Sequence, residues 1–227
     1  MKKGLSAKQI KAIDQYMIES IGMPSLVLME RAALATVDAI LKDFEFNSAL
    51  ILCGTGNNGG DGVAVGRLLH QAGKAVTITL VGDPEHASEE TTAQLKMVRN
   101  LNVRCINSLE DSWPDDSDTL IVDALFGIGL DREVEDPYLE VIRRVNNGTF
   151  RTVSIDVPSG LSADTGSVFG DAIKADKTYS IGFWKNGFSN EESGTYTGEI
   201  RLLDIGYPSL SELTRIIDQE ENNGEQI

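Results

Sequence analysis

The chain is expected to fold as an α/β domain, with a mostly parallel sheet covered by helices on both faces. Three observations lead there. Strand-like apolar runs alternate with helical stretches from Ala49 to Ile155. The run Ala49-Leu50-Ile51-Leu52-Cys53 is apolar without alternation, as in a strand buried on both faces. It leads into Gly54-Thr55-Gly56-Asn57-Asn58-Gly59-Gly60-Asp61-Gly62, where five glycines in nine residues suit a backbone that turns sharply and lies against something.

Taken in order, Ser6-x-x-Gln9 is a capping box, and Ile10, Ile13, Met17 and Ile21 follow at helical spacing until Gly22. Pro24-Ser25 opens a second helix over residues 26–41, with Met29, Ala33, Val37 and Ile40 as its apolar stripe and Ala32, Ala33 and Ala35 permitting close packing. Both helices precede any strand, so they are expected to lie on the sheet as an N-terminal extension. Glu30-Arg31 reads as a solvated or locally paired couple. Beyond the glycine loop a helix continues from Val63 towards Gly73. Strands are expected at 75–81, 103–106, 120–122 and 152–155, and helices at 88–100 and from Pro137 to Val145, ended by Asn147-Gly148. Residues 109–118 read as a polar surface connection. The runs 178–183 and 199–203 have no helical stretch between them and are expected to pair antiparallel at an edge. Residues 1–218 form one domain, and 219–227 are expected to be a disordered acidic tail.

The chain's 227 residues suit one domain, and no stretch approaches the roughly 20 apolar residues of a membrane span. No apolar segment follows Met1-Lys2-Lys3, so no signal peptide is expected. Cys53 and Cys105 lie far apart in apolar runs, which suggests free thiols in a reducing, cytoplasmic setting. A formal net charge of −15 argues against nucleic acid as the main partner. The same field opposes any anionic ligand, so a dinucleotide would rest on local backbone N–H groups.

Gly54, Gly56 and Gly59 fit G-x-G-x-x-G between a strand and a helix N-terminus, where free N–H groups favour an anion. No Gly-Lys-Ser/Thr follows, which excludes the NTPase phosphate loop. A tight turn packed on its own helix is the alternative; Asn57, Asn58 and Asp61 crowded among the glycines favour ligand contacts. Two further loops leave strand ends with unusual residues, from Asp123 to Arg132 and from Asp156 to Gly160. Ligands of open α/β sheets bind at such ends. The oxygen-only donor set lacks histidine and suits a monovalent ion or none. His70 and His86 read as surface residues, so acid–base work falls to carboxylates or to a lysine such as Lys185.

The segments GTGNNGGDG, VDALFGIGLDR and SIDVPSGLSADTG, with the opening IKAIDQYMIESIGMPSLVLMERAA, resemble the signatures of NAD(P)H-hydrate epimerases, the YjeF N-terminal domain family. The resemblance covers residues 8–205; the stretch around Trp184 is the least typical part. It implies a Rossmann-like three-layer αβα sandwich, often a homodimer, in a stand-alone form without a fused dehydratase. The implied reaction is isomerisation of the R and S forms of hydrated NADH and NADPH, a nucleotide-repair step that serves a separate dehydratase. Carried over by motif, Asn57, Asn58, Gly59, Gly60 and Asp61 would bind this substrate. Gly127, Ile128, Gly129, Leu130, Asp131, Arg132, Glu133 and Asp156 would do so too. Asn58, Asp123 and Ser159 would coordinate one potassium ion per subunit. Epimerisation needs a proton donor and acceptor at one carbon, by loss of the hydroxyl or by ring opening. Asp156 is assigned that catalytic role, and Lys185 matches a family lysine before a glycine. Two other readings are a non-catalytic module of this fold, as in mRNA decapping factors, and a nucleotide-binding oxidoreductase with Asp83 as its ribose acid. Intact NNGGDG and DVPSG loops and the acidic charge oppose the first; no hydride-acceptor constellation supports the second.

Overall fold

The protein, represented by a computed structural model, is described over residues 4–106, 113–114 and 118–224. Seven strands form one sheet: β1 (Ser48–Cys53), β2 (Ala75–Leu80), β3 (Arg104–Ile106), β4 (Thr119–Ala124), β5 (Thr152–Ile155), β6 (Lys177–Ile181) and β7 (Glu199–Leu203). Their order is β3-β2-β1-β4-β5-β6-β7, and every pairing is parallel. Chain direction across the sheet reverses between β1 and β4, so the fold opens a crevice at their carboxyl ends.

The antiparallel edge expected for 178–183 and 199–203 is overturned. Lys177 to Ile181 pair in parallel with Glu199 to Leu203. A parallel return needs a crossover, and residues 182–198 supply one from 3₁₀ turns at Asn186–Ser189 and Glu191–Ser193 and the short helix α6 (Gly194–Thr197). Such short turns leave no amphipathic stripe in the sequence.

The remaining helices are α1 (Ala7–Gln15), α2 (Ser25–Asp43), α3 (Asn57–Gln71), α4 (Glu89–Asn100), α5 (Tyr138–Asn147) and α7 (Leu210–Gly224). Ala49, Ile51 and Cys53 of β1 face α2, α3 and α4, whereas Leu50 and Leu52 face α5 with Val141, Ile142 and Val145. Alternating side chains of one strand thus feed two cores, which makes three layers. α7 runs through part of the expected tail; residues 225–227 lie outside the described residues, as do most of 109–118.

α1 begins with the expected capping box: Ser6 Oγ accepts from Gln9 N, and Gln9 Oε1 accepts from Ser6 N. A π-helical turn at Tyr16–Ser20 ends that helix and leaves Ile21 exposed, off the stripe of Ile10, Ile13 and Met17. α1 and α7 share a core with Phe183 and Tyr207 beyond the carboxyl ends of β6 and β7. Glu30 is not locally paired: it takes the guanidinium of buried Arg67 on α3, whose Nε also reaches Gln94 on α4. Arg31 lies against Gly206.

Candidate active site

The glycine-rich segment is helical sooner than its composition suggests. α3 starts at Asn57, so NNGGDG forms the opening turns of the helix and Gly56 is its N-cap. Backbone contact is the reason. A Cβ at residue 59 would overlap Gly54 O, and one at residue 60 would press on Met29 and Thr91. Gly56 is different, because a Cβ there would meet nothing within 4 Å. No side chain caps this N-terminus, so its free N–H groups remain for solvent or a ligand.

A cavity of about 570 Å³ opens at the crevice. Of the residues expected to bind substrate, Asn57, Asn58, Asp61, Gly127, Ile128, Gly129, Leu130, Asp131, Arg132 and Asp156 line it. Gly59 and Gly60 do not line it; they hold α3 against its neighbours. Glu133 is also absent from the wall and lies near Gly170 instead.

Lys185 stands behind Asp156, fully buried. Its ammonium donates to Asp156 Oδ1, to Ser180 Oγ at 3.0 Å and to Ile181 O at 2.9 Å, which uses all three hydrogens. Asp156 Oδ1 also accepts from Ile181 N at 3.1 Å, so Oδ2 is the oxygen left for the cavity. Asp156 has φ of +70°, a left-handed conformation costing a non-glycine residue about 1–3 kcal/mol. The surrounding bonds hold it there, with Asp156 N donating to Tyr179 O at 2.8 Å. Lys185 is fixed in turn by an N-terminal bridge: Leu5 N donates to Trp184 O at 2.8 Å, and Asn186 N to Leu5 O at 3.0 Å.

Asp14 and Tyr207 complete the wall and were not singled out from the sequence. Tyr207 O–H donates to Asp14 Oδ1, and its ring stacks on Phe183 with centroids 5.0 Å apart. A signal for Asp14 existed: it sits four residues after Ile10 and three before Met17, a carboxylate on the buried face of α1. Burial raises the Asp14 carboxyl above the usual range, the Tyr207 bond opposes that, and nearby Asp156 adds to it. Asp61 is raised well above its ordinary value by enclosure, then by Asp156 and Asp14. The Tyr207 phenol is pushed far up by burial and by Asp14. Such a site offers an ion-paired base beside carboxyls whose protonated form burial favours.

Below the cavity, Asp123 is fully buried, and among the described residues no Lys or Arg pairs with it. Oδ1 accepts from Ser159 Oγ at 2.5 Å and Leu125 N at 3.3 Å; Oδ2 accepts from Ser154 Oγ at 2.7 Å and Ser159 N at 2.9 Å. Burial raises its carboxyl, and these bonds oppose the rise. Ser159 Oγ also meets Phe126 N and O, at 2.9 Å and 3.3 Å. Asn58 Nδ2 is buried without a partner, its amide against Gly127. Among the described residues no group of three or more His, Cys, Asp and Glu could hold a metal ion. A cation here would therefore rest on one carboxylate and neutral oxygens, a set that fits a monovalent ion.

Residues 25–187 match the family described as "YjeF-related protein N-terminus". The chain is 43% identical over 204 residues to the NAD(P)H-hydrate epimerase of Limosilactobacillus fermentum, covering 89% of this chain and 97% of that relative. Identity to the protein of the same name from Levilactobacillus brevis is 42% over 207 residues, 91% of this chain and 95% of that one. Among solved structures, the crystal structure of yeast ynu0, YNL200c, superposes with a TM-score of 0.74 at 24% identity, covering 84% of this chain and 86% of that one, which establishes the fold.

Proposed function

The chain belongs to the family of YjeF-related N-terminal domains, and from that premise we propose that it is an NAD(P)H-hydrate epimerase, an isomerase that interconverts the R and S forms of hydrated NADH and NADPH. The observation that supports it most is the Asp156–Lys185 pair at the wall of a cavity that also holds Asp14 and Asp61. Reversible change at one hydroxyl-bearing carbon needs a proton acceptor and a donor within reach, and nothing more. Asp156, held by Lys185, is the acceptor; the base takes the proton through Oδ2, the oxygen facing the cavity. Asn57, Asn58 and Asp61 bind the dinucleotide with the loop from Gly127 to Arg132. The uncapped N-terminus of α3 offers N–H groups to its phosphates. The non-catalytic module has no observation in its favour.

The reading extends to one potassium ion per subunit, held by Asn58, Asp123 and Ser159. The burial of the Asp123 carboxyl, with no Lys or Arg partner among the described residues, supports this. When bound, the ion supplies a fixed positive charge beside the dinucleotide. It extends also to a separate dehydratase that consumes one epimer, and to a homodimer, supported by exposed Val27, Leu34 and Leu41 at heptad spacing along α2. A cytoplasmic setting is supported by the free thiols of Cys53 and Cys105. No helix among the described residues is long and apolar enough to cross a membrane.

The direct test starts from one purified epimer of hydrated NADH. Chromatography after incubation with the protein should show both epimers, faster than in buffer alone. A rate equal to buffer removes the proposal.

A further inference from the structure

The Asp156–Lys185 pair supplies a base but leaves the matching acid unassigned. Lys185 has no hydrogen to spare for a substrate, since all three go to Asp156, Ser180 and Ile181. Histidine is no candidate, because His70 and His86 are exposed and neither lines the cavity. The other cations of the wall, Lys11 and Arg132, are exposed side chains, which leaves the more enclosed carboxyls. Asp14, Asp61 and Asp156 share the cavity wall, while the ammonium of Lys185 balances only Asp156. Three ionised carboxylates beside one buried cation is an unfavourable charge count.

Asp14 is distinguished by how it is held. It projects from α1, outside the residues 25–187 that define the family match, and so does Tyr207, which follows β7. These two segments meet because α1 and α7 share a core. Tyr207 donates its hydroxyl hydrogen to Asp14 Oδ1, and stacking on Phe183 fixes the direction of that bond. With Oδ1 occupied as an acceptor, a proton on Asp14 resides on Oδ2.

We propose that Asp14 is the general acid of this site, complementary to Asp156, with Tyr207 selecting the oxygen that carries the proton. The assignment rests on the epimerase reading above and deepens it. Both routes to epimerisation balance with this pair. In the dehydration route the carbon–oxygen bond breaks, its electrons leave with oxygen, and the Asp14 proton completes a water molecule. The ring nitrogen lone pair closes a carbon–nitrogen double bond. Water adds to the other face, and its surplus proton returns to Asp14. In the ring-opening route Asp156 takes the hydroxyl proton as the carbon–nitrogen bond breaks. The nitrogen receives the Asp14 proton and an aldehyde forms; closure on the other face restores both. Neither route needs a further reactant.

The surroundings of Asp14 shift its carboxyl towards the protonated form. The groups facing it are Asp61 from α3, Asp156 after β5, Lys185 after β6 and Tyr207 after β7, with Lys11 of its own helix also on the cavity wall. Burial and Asp156 raise its carboxyl, while Tyr207 and Lys185 oppose them. A general acid is lost as pH rises through its pKa, so exchange should fall on the alkaline side.

The test is the pH profile of kcat/KM for epimer exchange, in wild type, Asp14→Asn, Tyr207→Phe and Asp61→Asn. Asp14→Asn keeps an oxygen that accepts from Tyr207; it should lower exchange about 10²–10⁴-fold and abolish the alkaline limb. Tyr207→Phe removes a bond that holds the Asp14 carboxyl down, so the limb should move to higher pH. A purely structural role would not move it. Near-normal exchange in Asp14→Asn overturns the proposal, and so does a limb that disappears only in Asp61→Asn. Should Asp14→Asn fail to fold by circular dichroism, Tyr207→Phe decides: a limb that stays in place overturns the assignment. A wild-type chain that exchanges no epimers defeats the functional reading itself, a different result from active wild type beside equally active Asp14→Asn.

Discussion

Lys185 Nζ donates to Oδ1 of Asp156, so a fully buried ammonium holds a carboxylate whose other oxygen is left for the cavity. The lysine therefore acts on the substrate only through Asp156. Asp156→Asn preserves size and an accepting oxygen but cannot take up a proton. Epimer exchange should fall about 10²–10⁴-fold while calorimetric affinity for the dinucleotide changes little. Lost binding instead would make Asp156 a positioning residue. Lys185→Met leaves Asp156 without its cation, and breaking a buried pair costs about 3–5 kcal/mol. Asp156→Asn likewise leaves the fully buried Lys185 ammonium without its counter-charge, so the thermal midpoints of both variants should fall.

Potassium should raise the melting temperature, because a ligand that binds only the folded state stabilises it. Asp123→Asn removes the one charge in that donor set, and Ser159→Ala removes a hydroxyl. Melts in potassium and in an equal concentration of choline chloride should differ for wild type and converge for Asp123→Asn. A response that persists undiminished in both variants places the ion elsewhere.

Two glycines of one segment should behave oppositely. Gly59→Ala drives a Cβ into Gly54 O, a backbone atom that cannot step aside, so the protein should be strongly destabilised or fail to fold. Gly56→Ala meets nothing within 4 Å at ordinary φ and ψ, so the fold should survive. Because Gly56 lines the cavity at the start of α3, dinucleotide affinity should fall. Circular dichroism and calorimetry on the two proteins separate the roles. A stable Gly59→Ala protein would contradict this packing.

Acid should stabilise the ligand-free protein at first. Asp14 and Asp61 both have carboxyls raised in the folded state, so folding binds protons there. Their contribution is complete below the ordinary carboxylate value of about 3.9 and is lost as pH rises through the raised folded values. Asp43, beside Lys177 and Arg201, is lowered, and its stabilisation is lost only as pH falls below that ordinary value. As pH falls through the raised folded values towards the ordinary carboxylate value of about 3.9, the melting temperature should therefore climb, and the climb should shrink in Asp14→Asn and in Asp61→Asn. A wild-type curve that descends over that window contradicts the sign.

The sheet was legible wherever a strand is buried on both faces. Ala49 to Cys53 and Leu120 to Val122 have no polar alternation, and Asp123 stands out because it follows such a run, whereas Asp156 follows the alternating Thr152-Val153-Ser154-Ile155. Parallel pairing of β6 and β7 was not legible, since its crossover is built from 3₁₀ turns and a four-residue helix with no periodic stripe. The helical state of Asn57 to Gly62 was hidden for another reason. Glycine propensity disfavours helix, and only contact with Gly54 and Met29 shows why glycine is required there. Glu30 looked local beside Arg31, but its partner Arg67 comes from α3, a long-range choice that spacing cannot reveal. Asp14 could have been found as a charge on a buried helix face; Tyr207 had no comparable mark.

Epimerisation at this cavity is tested most directly by one coupled conversion. A mixture of both epimers of hydrated NADH is given to a dehydratase that consumes one of them, with and without this protein, and NADH is followed by absorbance. Rapid conversion of the whole mixture with wild type, and a stall in Asp156→Asn once the usable epimer is spent, is the predicted result. A stall at that same point with wild-type protein would contradict it.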